Sequence, residues 1–338
     1  LLDTTLNARP AIYLIWLAVS LLTIPMFIMS PKELAPTEDE GVIFGIIDAS
    51  ANSTLDLTSR YTAAVNRAYL SVPETEFTFQ VTRPTSGFAG MVVKPWDARE
   101  RTIEEILPEV QRKLSTIPGI RMFATTPSAL PGGGQFPVEF VLASTAEPDQ
   151  ILSFAQQIQR KAMQSGMFAF PPIIDLKIDQ PQSELIIDRD KAADLNLSLE
   201  QVGNDIASMV GGNFVNRFNI AGRSYKVIPQ IKRIDRLTPG QLKNIYVTGP
   251  DGRLIPLSTI ATIRNETVPR ALLRFQQLNA VTISGVSVRP LDEALRFLED
   301  EAAKILPKGY VQDYTGESRQ LRTEGNSFIQ AFTRSSVS

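Results

Sequence analysis

"TEFTFQVTRPTSGFAGMVVKPW" (Thr75–Trp96) is the stretch that decides the fold of this chain, because it predicts two strands in direct succession. Thr75–Val81 alternates apolar and polar side chains, which is typical of a half-buried strand. Gly90–Trp96 is rich in β-forming residues and predicts the next strand. The elements on either side of this pair then determine which fold the two strands belong to.

Helices and further strands flank the pair. Thr54–Leu70 carries apolar residues at helical spacing, and Thr102-x-x-Glu105 is a capping box in front of a second amphipathic helix. Gly41–Ser50 and Ile120–Thr125 predict the outer strands. The resulting order is β-α-β-β-α-β, which is the split ferredoxin-like unit.

A second unit of the same kind follows the glycine-rich joint Leu130–Gln135, but it is interrupted. Its predicted elements are the strand Pro137–Ser144, the helix Asp149–Met163, the strands Ile173–Asp179 and Ser183–Arg189, and, much later, the strand Val281–Val288, the helix Leu291–Leu306 and the strand within Tyr310–Gly316. About 80 residues, roughly Asp190–Val268, separate the two parts, which is too long for an ordinary loop.

The inserted segment predicts a small α+β subdomain of its own. Ser198-x-x-Gln201 caps an amphipathic helix. Two hairpins follow, with predicted turns at Ala221–Arg223 and at Pro250–Gly252.

Composition excludes several classes of function. The 338 residues include 43% hydrophobic and 21% charged residues, with a net charge of −2, so a packed core is expected and a nucleic-acid partner is not. The chain has no histidine and no cysteine, which excludes Ser-His-Asp and Cys-His nucleophiles and His-ligated zinc. Only carboxylate, lysine or serine-lysine chemistry would remain, so we expect a protein that is not an enzyme and has no metal site and no cofactor.

One strongly apolar segment stands near the start. Ala11–Met29 has no charged residue, and its 19 residues would cover about 30 Å as a helix, the thickness of the hydrocarbon layer. We predict a transmembrane helix at Ala11–Met29 with residues 1–10 as a cytoplasmic flank, in preference to a signal peptide, because no small-x-small cleavage site follows.

Several motifs, in the same order along the chain, resemble the second half of a resistance-nodulation-division (RND) multidrug efflux permease of the AcrB type, in the hydrophobe/amphiphile efflux branch. They are "ELAPTEDEGVIF" (Glu33–Phe44), "SGFAGMVVKPWDARERT" (Ser86–Thr102), "DRDKAADLNLSLEQVGNDIASMVGGNFVNRF" (Asp188–Phe218), "GRSYKVIPQ" (Gly222–Gln230) and "PRALLRFQQLNAVTISG" (Pro269–Gly285). The split second unit strengthens the resemblance.

The resemblance implies an α+β chain in which one transmembrane helix, the seventh span of the family, precedes tandem ferredoxin-like porter subdomains. The implied division is a first porter subdomain over 37–130, a second over 131–189 plus 269–315 that is split by a docking subdomain over 190–268, and a truncated lead-in to the next span over 316–338.

The resemblance also implies a function and its partners. Family members are inner-membrane proton/drug antiporters that work as homotrimers, with a periplasmic adaptor (membrane-fusion) protein and an outer-membrane channel, and export hydrophobic or amphiphilic drugs. On this interpretation the chain contributes to antibiotic resistance, and most of it lies in the periplasm of a bacterium.

Candidate drug-binding residues come from the loop and strands of the first stretch and from one later strand. The resemblance assigns the switch loop to Ser86, Gly87, Phe88, Ala89 and Gly90, with Phe88 between two drug pockets. The glycines predict a mobile loop. Phe79, Val81, Met91, Val138 and Phe140 alternate along strands and are candidate pocket walls. The alternative is an ordinary hairpin and an ordinary core.

Two other functions stay open at this point. A membrane-anchored periplasmic binding or sensor module could be built from the same ferredoxin-like units. A heavy-metal-exporting RND permease is the other alternative, because the chain has seven methionines, of which Met91 and Met122 could approach a cleft.

Overall fold

The computed structural model describes residues 9–29, 38–128 and 131–324. In chain order its elements are α1 (Arg9–Met29), β1 (Val42–Ala49), α2 (Leu55–Leu70), β2 (Thr75–Thr82), β3 (Ser86–Val93), α3 (Ile103–Ser115), β4 (Ile120–Thr125), β5 (Val138–Ser144), α4 (Pro148–Ser165), β6 (Ile173–Ile174), β7 (Ile178–Ile187), α5 (Arg189–Asp194), α6 (Leu199–Met209), β8 (Asn216–Ile220), β9 (Arg223–Val227), β10 (Tyr246–Thr248), β11 (Leu254–Pro256), α7 (Leu257–Ile260), β12 (Ala261–Pro269), β13 (Arg274–Phe275), β14 (Leu278–Gly285), α8 (Leu291–Ile305) and β15 (Val311–Tyr314). Residues 316–324 are also helical. The predicted α+β class is confirmed.

The first porter subdomain is a four-stranded antiparallel sheet in the order β2-β3-β1-β4. Helices α2 and α3 cover one face of this sheet. Strand β1 is central, and because its side chains alternate, Ile43 and Ile47 point toward the helices and are fully buried. They form one core with Val65 of α2 and Ile106 of α3. This is the ferredoxin-like unit that the sequence predicts.

The second porter subdomain repeats this arrangement with elements from both sides of the insertion. Its sheet has the order β13-β14-β5-β15, and β6 also pairs with β14. Helices α4 and α8 cover one face, where Phe140, Ile151, Ile283 and Leu298 are buried together. Strand β5 thus lies between β14 and β15, and both of these strands come after the insertion in the sequence. The predicted interruption of the second unit is confirmed.

The inserted unit starts earlier in the chain than the sequence predicts. The chain divides into two compact units, one formed by the described residues up to Ile178 and from Pro269 onward, the other by Asp179–Val268. We expected Ser183–Arg189 to be a strand of the second porter sheet. Instead β7 pairs with β12, the strand that ends the insertion, so the inserted unit begins earlier than Asp190. The return at Pro269 coincides with the expected one.

The inserted unit has a core of its own. Val202 of α6, Val247 of β10 and Ile260 of α7 are fully buried in one cluster. Ser198 caps α6 by accepting a hydrogen bond from the backbone N–H of Gln201 at 3.4 Å. The hairpins β8–β9 and β10–β11 turn where the sequence predicts them, and their turn residues take left-handed angles.

The helix α1 confirms that Ala11–Met29 is helical. Among the residues that the structure describes, however, no helix is found with both the length and the apolar character needed to cross a membrane. The predicted flank before Arg9 and most of the predicted lead-in after Glu324 lie outside the described residues.

Candidate functional site

Among the residues that the structure describes, no helix of the first porter subdomain covers the second face of its sheet. Side chains that alternate with the buried core residues point to this face, and we call it the open sheet face. Its apolar members are Phe44 and Ile46 of β1, Phe77, Phe79 and Val81 of β2, Phe88 of β3 and Phe123 of β4. Phe77, Val81 and Phe88 are 52%, 49% and 38% exposed in this chain. So much clustered apolar surface is typical of a binding surface.

Three aromatic rings form the centre of the open sheet face. Phe44 lies 5.3 Å from Phe88 and 6.0 Å from Phe79, and Phe79 lies 5.5 Å from Phe88, measured between ring centroids. These are favourable distances for aromatic contacts, so the three rings hold one another in place. We call them the aromatic triad. Phe79, Val81 and Phe88, three of the predicted drug-binding residues, therefore lie on one surface.

The prediction that Ser86–Gly90 forms a mobile loop is wrong. These residues form the first part of strand β3. They pair with β1 on one side and β2 on the other, and the turn of the hairpin lies before Ser86. The glycines serve close packing instead of mobility. A Cβ on Gly87 would lie 2.9 Å from the carbonyl oxygen of Val81, and one on Gly90 would overlap the ring of Phe79.

Three other predicted pocket residues belong to the helix-facing cores. Met91 is fully buried under the helices of the first subdomain, and Val138 and Phe140 are fully buried in the second. They therefore cannot line a surface cleft. Met122 is also buried in the first core, which removes the basis of the metal-export alternative. Among the described residues, no group of three or more Asp, Glu, His or Cys side chains could hold a metal ion.

A cavity of about 610 Å³, which we call the first cavity, lies between the two porter subdomains. The first subdomain contributes Glu38, Trp96 and Leu107, and the second contributes Phe136, Leu291 and Glu317. Its walls combine aromatic and aliphatic side chains with a few charged ones. This composition suits amphiphilic ligands of drug size.

Asp39 organises one rim of the first cavity. It accepts hydrogen bonds from Arg99 at 2.7 Å, from the backbone N–H of Gly41 at 3.0 Å and from that of Ile103, at the start of α3, at 2.8 Å. Burial by itself would raise the pKa of Asp39, but these hydrogen bonds outweigh it and hold the pKa below its ordinary value. Arg99 in turn lies 4.1 Å above the ring of Trp96, so one carboxylate fixes β1, α3 and the cavity wall.

A smaller cavity of about 400 Å³, the second cavity, also lies between the two porter subdomains. Phe123 lines it and packs against Phe170 of the second subdomain at 5.0 Å between ring centroids. Asp48 of β1 forms ion pairs there with Arg121 at 3.1 Å and with Lys177 at 2.5 Å.

Sequence reasoning missed Phe44, Phe123 and the ion pairs of Asp48. The sequence could have identified Phe44, because side chains alternate strictly along β1. Phe44 therefore lies on the face opposite to that of the neighbouring core residue Ile43. No local signal announces the partners of Asp48, since Lys177 is distant in the chain and the folded sheet brings them together.

The fold is a pair of ferredoxin-like subdomains, the second of which is split by an inserted unit, and comparisons with known proteins identify its family. The model of the AcrB/AcrD/AcrF family matches residues 1–337. An "Uncharacterized transporter" of Haemophilus influenzae is 31% identical over 317 residues, covering 92% of this chain and 31% of that protein. "Multidrug export protein AcrF" of Escherichia coli is 26% identical, with 89% of this chain and 31% of that protein covered.

"Toluene efflux pump membrane transporter TtgB" of Pseudomonas putida is also 26% identical, with 94% of this chain and 32% of that protein covered. The chain belongs to the AcrB/AcrD/AcrF family. It spans about a third of the length of the curated relatives it matches.

Proposed function

We propose that this chain is the porter and docking segment of an inner-membrane proton/drug antiporter, and that its open sheet face binds hydrophobic or amphiphilic compounds during export. The observation that carries the proposal is the aromatic triad, three clustered rings on the sheet face opposite the one that α2 and α3 cover. Family membership supports the direction of transport, because several relatives are named as efflux or export proteins.

The chemistry of this face suits varied substrates. Phe44, Phe79 and Phe88 offer apolar area without fixed hydrogen-bond partners, so different ligands can bind in different orientations. Each aromatic contact contributes about 0.5–1.5 kcal/mol beyond the burial of apolar area. Binding spread over several rings is strong enough to select apolar compounds and weak enough to release them.

The assembly is part of the proposal. We expect the permease to be a homotrimer, with most of this chain in the periplasm and the inserted unit, Asp179–Val268, facing an outer-membrane channel with the help of a periplasmic adaptor. We place the proton relay of the antiporter in other parts of the complete permease.

The test uses the complete permease in a host that lacks its own efflux pumps. The double variant Phe79→Ala/Phe88→Ala removes two rings of the triad, and we expect it to lower resistance to bulky apolar drugs severalfold at matched expression. Phe154→Ala is the control, because this ring packs against Tyr310 away from the open sheet face. Full protection by the double variant, or equal loss in the control, would contradict the proposed site.

A further inference from the structure

The chain enters and leaves the inserted unit through two short connectors that meet at one carboxylate of the first porter subdomain. The outgoing connector, residues 175–177, leads from β6 into β7, and the returning connector, residues 270–273, leads from β12 into β13. Asp48, near the end of β1, forms an ion pair with Lys177 of the outgoing connector at 2.5 Å and with Arg270 of the returning connector at 3.4 Å. Both cations contact the same oxygen, Oδ1.

Hydrogen bonds tie the two connectors to each other and to the end of β1. The backbone N–H of Arg270 donates to the carbonyl oxygen of Lys177 at 2.9 Å, so the connectors are joined at this point. The guanidinium group of Arg270 also donates to the carbonyl oxygen of Ala49 at 3.1 Å. Both connectors are attached to strands of the second porter sheet, but their charged side chains are held by the first porter subdomain.

The ion pairs between Asp48 and the connectors are largely shielded from water. The side chains of Asp48, Lys177 and Arg270 are 15%, 22% and 19% exposed. Ion pairs in such positions are screened less than surface pairs, and removing one partner is costly because the remaining charge is still partly buried. Arg121 is a third partner of Asp48, but its side chain is 71% exposed, so this pair contributes little. The carboxylate of Asp48 therefore acts mainly on the connectors.

The two porter subdomains also contact each other independently of Asp48. Phe123 of the first subdomain packs against Phe170 of the second at 5.0 Å between ring centroids. This aromatic contact does not involve either connector. Loss of the Asp48 carboxylate should therefore release the connectors without separating the two porter subdomains.

We propose that Asp48 is a positioning residue that latches both connectors to the first porter subdomain, so that a displacement of this subdomain is passed on to the inserted unit. Two connectors held at one point behave as a single joint, whereas two released connectors let the inserted unit move independently of the first porter subdomain. This inference deepens the proposed export function and rests on it for its biological role, but the latch itself is measurable without transport.

The experiment measures distances in the full chain by pulsed electron paramagnetic resonance. The chain has no cysteine, so spin labels attach only where cysteines are introduced. The first label pair, Arg60→Cys on α2 with Lys243→Cys in the inserted unit, reports the coupling between the first porter subdomain and the inserted unit. The second pair, Arg60→Cys with Lys161→Cys on α4, reports the two porter subdomains, and all three positions are exposed. We expect Asp48→Asn to broaden the distance distribution of the first pair about twofold and to leave that of the second pair unchanged.

Three further variants separate the latch from folding. Asp48→Glu keeps the charge and should keep the wild-type distribution of the first pair. Lys177→Gln leaves Asp48 paired with Arg270, so it should broaden this distribution less than Asp48→Asn does. Asp56→Asn removes an exposed carboxylate from α2 of the same subdomain and should change neither distribution.

Equal broadening for both label pairs would show that Asp48 only holds the porter subdomains together, and it would overturn the proposal, as would no change for either pair. In the complete permease, Asp48→Asn should lower the export of large and small drugs alike, and a loss limited to bulky apolar drugs would contradict the latch. The triad variants should leave both distance distributions unchanged, so the proposed binding face and the latch can fail independently.

Discussion

At the scale of single residues, Asp39 joins the start of β1 to the start of α3 and to a nearly buried arginine. Arg99 is only 1% exposed and Asp39 is 11% exposed. Removing one member of such a pair leaves the other charge buried without compensation, which is far more costly than losing a surface ion pair.

We predict that Asp39→Asn lowers the free energy of unfolding by about 3 kcal/mol, because Arg99 keeps its charge and loses its counter-ion. Urea unfolding followed by circular dichroism measures the change. Glu76→Gln, at an exposed position of β2, is the matched control and should change stability little. A similar loss in both variants would show that the position of the carboxylate does not matter.

The same carboxylate predicts a pH dependence. Because the pKa of Asp39 is lowered in the folded chain, its contribution to stability is complete above the pKa of the unfolded chain, near 3.8. The contribution is lost as the pH falls through the lower folded value. The stability difference between the wild type and Asp39→Asn should therefore shrink below about pH 4.

Sequence patterns named several residues of the candidate site, but they did not show which face of its sheet each residue lies on. Alternation along β2 and β5 correctly separates two sets of side chains, but it does not tell which set the helices cover. Phe79 and Val81 lie on the open sheet face, whereas Met91 and Phe140 lie under helices. Only the packed subdomain decides between the two faces, since the apolar set of β2 faces away from the helices while Thr78 and Thr82 face α2, and the apolar set of β5 faces its helices.

At the scale of elements, β3 is the clearest difference between expectation and structure. Two glycines in five residues predicted a mobile loop, yet a central strand needs Gly87 and Gly90 where the backbone of β2 and the ring of Phe79 come close. Most other elements were predicted, including both hairpins of the inserted unit. The strand Ser183–Arg189 was predicted to join the second porter sheet, but most of it belongs to β7, which pairs with β12. Local sequence does not determine which strand is the pairing partner.

We predict that Gly87→Pro destabilises the first porter subdomain by about 3 kcal/mol or more, because proline removes a backbone donor within a central strand that pairs on both sides. Thermal unfolding of the purified chain is the measurement. If Ser86–Gly90 were a mobile loop, the substitution would leave the midpoint almost unchanged, and that result would contradict the strand.

At the scale of the whole molecule, the division into two units predicts that the inserted one is dispensable for folding of the other. Each unit has its own core, and the backbone N–H of Arg270 donates to the carbonyl of Lys177 at 2.9 Å, so the two ends of the cut are already adjacent. A deletion that tests this should therefore start at the observed boundary, Asp179, and not at the expected one, Asp190.

We expect that deleting Asp179–Val268 and joining Ile178 to Pro269 through a short Gly/Ser linker leaves the porter subdomains folded. Circular dichroism and the cooperativity of urea unfolding test this, and the segment Asp179–Val268 expressed alone is the complementary sample. Broad, non-cooperative unfolding of the shortened chain would show that the two cores depend on each other.

The split second subdomain has a consequence for how the protein is made. The first subdomain is contiguous and can fold as soon as β4 leaves the ribosome, but β5 gains neither of its neighbours, β14 and β15, until the inserted unit has been synthesised. At usual translation rates this delay is on the order of ten seconds. During that time β5 presents two unpaired edges in the growing chain, so this strand is where a nascent-chain chaperone should act first.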